Sequence, residues 1–342
     1  MVYPFSSGMF QTYPSFQSMV PRIPSTIDLS TVERTQQPNL LTFHAPTPIG
    51  ANRFVVIGDA GTGTQPQYEV ARQMSLCHMA QPFASVLVLG DNVYPSGKPQ
   101  AFYERIYQPY QDLFNQGVKF WPVLGNHDVN HGFGDQQLKL WGVPSCYSFK
   151  LGPPSSEVEF FALDTTVMAP GTSECYINNP EVARRKAAIQ MAWLERALAQ
   201  STAGMKVVFA HYPLYSRGAE AKPGRAAVQH MMQQQLSPLF EKYGVDLYMA
   251  GHVHHYEKPV QINGVNYLVS GAGGKLDTAR KGGTEGNGLI KQNHFMLFDI
   301  LPEGLKYQTI SSQGTLLDSG FIPRKRPIGF LPSFWPAILT RK

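Results

Sequence analysis

The chain has 342 residues, 43% hydrophobic and 15% charged, a balance that excludes a disordered or coiled-coil protein. A net charge of +5 favours anionic ligands at long range, but apart from Arg324, Lys325 and Arg326 the basic residues are scattered, so a nucleic-acid surface is not indicated. Three cysteines, Cys77, Cys146 and Cys175, are too few for a disulfide framework or a zinc ribbon, and no apolar run reaches the roughly 18 residues that a bilayer requires.

Residues 1–48 carry Pro, Ser, Thr and Gln without periodicity and read as an irregular N-terminal extension. Pro4 and Pro14 interrupt its apolar start and no Lys or Arg precedes Arg22, so no standard secretory signal is visible. One folded domain is expected over 49–322, then a tail over 323–342 in which Phe330 and Trp335 pack back on that domain. In an oxidising compartment Cys146 and Cys175 can close one loop.

The first apolar, β-branched run, Arg53 to Ile57, ends at Gly58-Asp59, and helical spacing follows from Gln67 to Met79. Ser85 to Leu89 ends at Gly90-Asp91, with a helix expected from Pro99 to Tyr107. Val118 to Leu124 ends at Gly125-Asn126-His127-Asp128. Strands near Tyr147 to Leu151 and Glu157 to Leu163 precede a long helix from Glu181 to Ala199. Asn179 can cap that helix, Pro180 suits its first position, and Ile189, Trp193, Leu194, Ala197 and Leu198 form an apolar stripe. Met205 to Ala210 ends at His211, a helix spans Ala226 to Tyr243, and Val245 to Ala250 ends at Gly251-His252. The last expected strands are Val265 to Ser270, His294 to Ile300 and Leu305 to Ile310. Strand-helix alternation indicates an α/β fold. The strands exceed what one parallel sheet needs, which predicts a four-layer αββα sandwich of two mixed sheets flanked by helices. No solenoid-period repeat is present.

Ligands of α/β sheets bind just beyond the carboxyl ends of strands. Here the runs end in Asp59, in Asp91 with Tyr94, in Asn126 with His127, in His211, and in His252 with His254. Singly, each has a plain structural reading. An Asp after Gly is commonly a turn or cap residue, Asn126 a turn former, Tyr94 a half-buried aromatic, His211 a satisfied core histidine, and a short His-x-His pair occurs by chance. Their joint occurrence in order points to a site. Carboxylates, an amide oxygen and imidazoles together suit two borderline cations, and a carboxylate such as Asp91 can bridge both. A phenolate at Tyr94 is a hard anionic donor that favours a trivalent ion such as Fe3+.

The blocks GDAG (58–61), GDNVY (90–94), GNHD (125–128), VFAH (208–211) and GHVH (251–254) resemble the signature of the purple acid phosphatases, a branch of the calcineurin-like metallophosphoesterases. Tyr94 is the feature that separates this branch from relatives without the tyrosine. The resemblance implies that Asp59, Tyr94 and His254 hold Fe3+, that Asn126, His211 and His252 hold Fe2+, Zn2+ or Mn2+, and that Asp91 lies between the ions. It further implies that His127 orients the phosphate or protonates the leaving alcohol, with Asp128 fixing its imidazole by a hydrogen bond.

The implied activity is acid phosphatase action on small phosphate esters, releasing inorganic phosphate by attack of a metal-held hydroxide on phosphorus. A phosphodiesterase or nucleotide pyrophosphatase on the same scaffold is the alternative enzyme, and an inactive metal-binding or interaction protein is the alternative of another class. Two departures stand out. After HYPLYS (211–216), small mammalian-type members carry a second substrate-facing histidine where this chain has Glu220, and His255-Tyr256-Glu257 looks more like the plant pattern. The VSGAGGK stretch (269–275) reads as a structural turn below the site, and the resemblance favours a secreted, periplasmic or vacuolar location.

Overall fold

A computed structural model describes residues 52–169, 174–220, 223–277 and 288–325; the extension over 1–48 and the tail from Arg326, with Phe330 and Trp335, lie outside the described residues. Along the chain run β1 (Asn52–Ile57), β2 (Ser85–Val88), β3 (Lys119–Pro122), β4 (Tyr147–Leu151), β5 (Val158–Ala162), β6 (Met205–Phe209) and β7 (Leu247–Ala250). They are followed by β8 (Tyr256–Ile262), β9 (Val265–Ser270), β10 (Leu289–Ile290), β11 (His294–Leu301), β12 (Gly304–Ser311) and β13 (Leu316–Pro323).

These strands form two mixed sheets, one of six strands in the order β13-β12-β11-β1-β2-β3 and one of seven in the order β10-β8-β9-β7-β6-β5-β4. β1, β2 and β3 are parallel, as are β5, β6, β7 and β9. Each parallel strand is covered on both faces, which is why its sequence is a continuous apolar run rather than an alternating one. In β1, Phe54 and Val56 face the second sheet while Val55 and Ile57 face the helix Gln65–Ala80.

Between the sheets the Phe54 ring packs edge-on against Phe160 at 5.0 Å and stacks on Phe298 at 4.8 Å. Each ring buried this way contributes roughly 1.5–3 kcal/mol. On the outer side of the second sheet, the helices Pro180–Gln200 and Pro223–Tyr243 bring Leu194, Leu198, Met232, Leu236 and Phe240 against Phe161, Val208 and Tyr248. The four-layer αββα arrangement expected from the sequence is therefore present. No helix among the described residues is long and apolar enough to cross a membrane.

Some local expectations need correction. Ile189 is not part of the buried stripe of its helix; it is 60% exposed, and Gln190 is buried in its place. The Gln190 amide accepts from the Asp164 N–H and donates to the Asp164 carbonyl, so hydrogen bonding rather than apolarity decides which residue faces in. Asn179 occupies the N-cap without a side-chain cap bond. The region from Pro99 is not one helix but a 3-10 turn, Pro99–Ala101, then a π turn, Tyr103–Tyr107, then an α-helix, Gln108–Asn115. Cys77 and Cys146 are free thiols, and the side chain of Cys175 lies outside the described residues.

Candidate metal centre

The parallel strands of both sheets end at one rim, where the loops after β1, β2, β3, β6 and β7 carry Asp59, Asp91 with Tyr94, Asn126 with His127, His211, and His252 with His254. The backbone at this rim is strained at the polar residues themselves. Asp59, Asp91 and His252 adopt positive φ, at 55°, 52° and 69°. Such angles are costly for residues with a Cβ and persist where surrounding structure enforces them. The neighbouring glycines serve two purposes. Gly90 itself needs a positive φ of 84°, whereas a Cβ on Gly125 would collide with the backbone and carboxylate of Asp91.

Two clusters of donor atoms result. In the first, the Tyr94 hydroxyl lies 2.8 Å from Asp91 Oδ2, 3.2 Å from Asp59 Oδ1 and 3.3 Å from His254 Nε2. In the second, Asn126 Oδ1 lies 3.1 Å from both His211 Nε2 and His252 Nδ1, and Asp91 Oδ1 is 3.5 Å from His211 Nε2. Asp91 thus turns one carboxylate oxygen to each cluster. Ligand atoms of Asp59, Asp91 and His211 all fall within 4.8 Å of one another.

Supporting bonds fix these side chains. His211 Nδ1–H donates to the Leu89 carbonyl at 2.8 Å, which leaves Nε2 as a lone pair aimed into the second cluster. The His252 N–H donates to Asp59 Oδ2 and the His127 N–H to Asp91 Oδ1. His254 Nδ1 faces Asp277 Oδ1 at 3.4 Å, and Asp277 also pairs with Arg225 at 3.3 Å.

The electrostatics suit cations. Burial, then the charges of Asp91 and Asp59, hold the Tyr94 hydroxyl well above its ordinary pKa, so a phenolate here requires a positive partner. Burial alone would raise Asp91, but the neighbouring His211 and His127 imidazoles and the His127 backbone N–H outweigh it and hold the carboxyl below its ordinary range. Burial, with His211 and Arg225 nearby, holds His252 far below its usual value and therefore neutral, the form that binds a metal. For His254, bonds to Asp277 and Asp59 overcome burial and raise it to about 9. Buried acceptors and lone pairs converging on two points, with one carboxylate between them, fit a pair of metal ions.

His127 is placed beside the first cluster rather than in it. Its Nδ1–H donates to the Pro95 carbonyl at 2.6 Å, and its Nε2 stands 3.9 Å from Asp91 Oδ2. The hydrogen bond expected from Asp128 to this imidazole is not formed. Asp128 is fully buried and accepts instead from the N–H groups of Asn92, Val93 and Gly125 and from the Asn92 and Gln137 amides. The short helix Asn126–Val129 turns it away from its neighbour and into the loop that bears Asp91 and Tyr94.

The stretch 269–275 is not merely a turn below the site. Lys275 Nζ lies over the Tyr94 ring at 4.1 Å, and the following residues carry Asp277 to His254. No motif spacing pointed to Lys275, Asp277 or Arg225, whose places are set only once β9 and the helix from Pro223 have packed. The side chain of Glu220 lies outside the described residues.

A sequence model of the calcineurin-like phosphoesterase family matches residues 52–256. Tartrate-resistant acid phosphatase type 5 of Homo sapiens is 30% identical over 275 residues, covering 75% of this chain and 83% of that protein. Among solved structures, GAP50, the anchor in the inner membrane complex of Plasmodium, superposes with a TM-score of 0.64 at 20% identity, covering 81% of this chain and 90% of that one. Purple acid phosphatase PPD1 from yellow lupin (Lupinus luteus) seeds gives a TM-score of 0.61 at 18% identity, covering 80% of this chain and 54% of that one. At these identities the two structural likenesses concern the fold alone.

Proposed function

The chain belongs to the calcineurin-like phosphoesterase family, in its purple acid phosphatase branch, and from that premise we propose that it is a binuclear-metal acid phosphatase acting on phosphomonoesters. The observation that carries the proposal is Asp91, whose two oxygens face two separate donor clusters. Asp59, Tyr94 and His254 would hold Fe3+, because a buried phenol between two carboxylates calls for a highly charged partner. Asn126, His211 and His252, one amide oxygen and two imidazoles, would hold a softer divalent ion, Fe2+, Zn2+ or Mn2+. Asp91 would be shared. When bound, such a pair supplies Lewis acidity to a phosphoryl group and makes water nucleophilic below its ordinary pKa.

The chain's own groups account for the remaining steps. Glycines and strained turns set the donor atoms before substrate arrives, so little reorganisation is left for the reaction itself. His127, on the half-exposed side of the site, is held at Nδ1 by Pro95 and presents Nε2. A proton at Nε2 would go to the leaving alcohol oxygen, which is the step that an alkyl ester finds hardest. Asp128 acts indirectly, by holding the loop of Asn92 and Val93 through its backbone N–H groups.

Paired assays of the metal-loaded protein with phosphomonoesters and phosphodiesters at acid pH test the assignment. The proposal expects the monoester to be hydrolysed at least roughly tenfold faster, a transition-state preference of about 1.4 kcal/mol. A diester preference overturns it in favour of a phosphodiesterase, and no hydrolysis with two metals bound overturns it in favour of a binding protein.

A further inference from the structure

Lys275 sits on the loop that follows β9, and the loop is tied to the site on both sides of it. The Gly273 N–H donates to the Gly58 carbonyl at 2.8 Å, and the Asp277 N–H donates to the His254 carbonyl at 3.1 Å. Between these anchors the Lys275 side chain is half-buried and its Nζ stands 4.1 Å from the centre of the Tyr94 ring. Among the described residues no carboxylate pairs with this ammonium, so its charge is not spent on a neighbouring ion pair. The ring of His127 packs against the same tyrosine at 4.6 Å.

An ammonium over an aromatic face is attracted by the ring's electron density. The attraction grows when the ring carries the negative charge of a phenolate, because that charge is delocalised from the oxygen into the ring. The cation lies over the ring, across which the phenolate's filled orbitals are spread. The ammonium therefore lowers the filled orbitals of the ring. We propose that Lys275 is a positioning residue that tunes Tyr94 from its ring face, making the ring a weaker electron donor to a ferric ion. The proposal rests on the ferric assignment given above for Asp59, Tyr94 and His254.

Two consequences follow for the iron-loaded full-length chain. A phenolate-to-iron charge-transfer band, absent in Tyr94→Phe, lies at shorter wavelength than it would without Lys275. The ferric site also has a higher midpoint potential than it would otherwise have, since a nearby positive charge favours the reduced ion.

The test compares the visible spectrum and the midpoint potential of wild type, Lys275→Met and Lys275→Arg, with melting temperature as a control for folding. Lys275→Met is expected to move the band to longer wavelength and to lower the potential. Lys275→Arg, which keeps the charge and stacks well on rings, is expected to stay close to wild type in both. An unmoved band and potential in a folded Lys275→Met protein overturns the proposal, and so does an equal shift in both variants, which marks lost packing rather than lost charge. Lys275→Gln replaces Lys275→Met if the latter does not fold. Iron-loaded wild type with no band removes the ferric-phenolate assignment itself, a result distinct from a band that is present and insensitive to Lys275.

Discussion

His211 Nε2 and His252 Nδ1 face each other at 3.2 Å, although the residues belong to loops after different strands and are 41 positions apart in the chain. Each also lies 3.1 Å from Asn126 Oδ1. His211 uses Nδ1–H on the Leu89 carbonyl and burial holds His252 neutral, so His211 Nε2, Asn126 Oδ1 and, in the Nε2–H tautomer, His252 Nδ1 turn acceptor lone pairs toward one point. A cation shared by the three side chains is the partner that such a set fits.

Asp91 is the side chain both clusters depend on. Losing a group that merely supports a metal ligand costs about 10–100-fold, and Asp91→Asn removes the proposed shared ligand, so its turnover of a phosphomonoester is expected to fall by more than that, with His252→Ala similarly impaired. Steady-state assays in the presence of excess metal check this. Ordinary rates in either variant contradict the bridging arrangement.

The role proposed for His127 is to give a proton rather than to hold an ion. His127→Ala is expected to lower kcat by about 10²–10⁴-fold, the usual worth of general acid catalysis, with metal content unchanged. The loss should be greatest for alkyl phosphates, whose leaving groups need the proton, and least for nitrophenyl esters. A uniform loss across leaving groups would assign His127 to binding instead.

Asp128 offers a contrast with its sequence neighbour. Asp128→Asn puts amide hydrogens against backbone N–H groups, and leaving buried donors unsatisfied is expected to cost about 1–3 kcal/mol. Thermal or urea unfolding measures this. If Asp128 acted instead on the His127 imidazole, the variant would keep its stability and change the leaving-group dependence.

His294 gives the fold an acid-sensitive element beside the loop that follows β9, where its N–H donates to the Ala272 carbonyl at 3.1 Å. It is buried, its Nδ1–H donates to the Gln292 carbonyl at 2.8 Å, Nε2 lies 3.0 Å from Ser270 Oγ, and burial brings it down to about 4. Its folded-state pKa is depressed, so the unfolded chain takes up a proton first. The stability it confers is complete above the unfolded value near 6.5 and is lost as pH falls through about 4, amounting to about 3 kcal/mol. His294→Gln should therefore flatten the loss of stability between these pH values in chemical denaturation, and an unchanged slope would show that other groups control the acid limb.

Much of this was legible in the sequence because the polar residues terminate apolar runs, and a parallel strand buried on both faces is apolar throughout. β8 and β13 were not. Tyr256–Ile262 contains Glu257, Lys258 and Pro259, and its pairing with β9 shifts register between Glu257 and Val260. Leu316–Pro323 is interrupted by Asp318, Ser319 and Gly320, and gains its order from the hairpin with β12. Adjacency misled for Asp128, since a single helical turn sends successive side chains in different directions. Lys275 and Asp277 reach the centre only through tertiary packing of a loop whose own sequence reads as a turn.

The most direct test of the account is the number of metal ions bound per chain, measured by elemental analysis of wild type and Asp91→Asn after identical loading and dialysis. The account predicts two ions in wild type and loss from both positions in Asp91→Asn, because one carboxylate serves both clusters. A single ion in wild type, or two ions undiminished by the substitution, would contradict it.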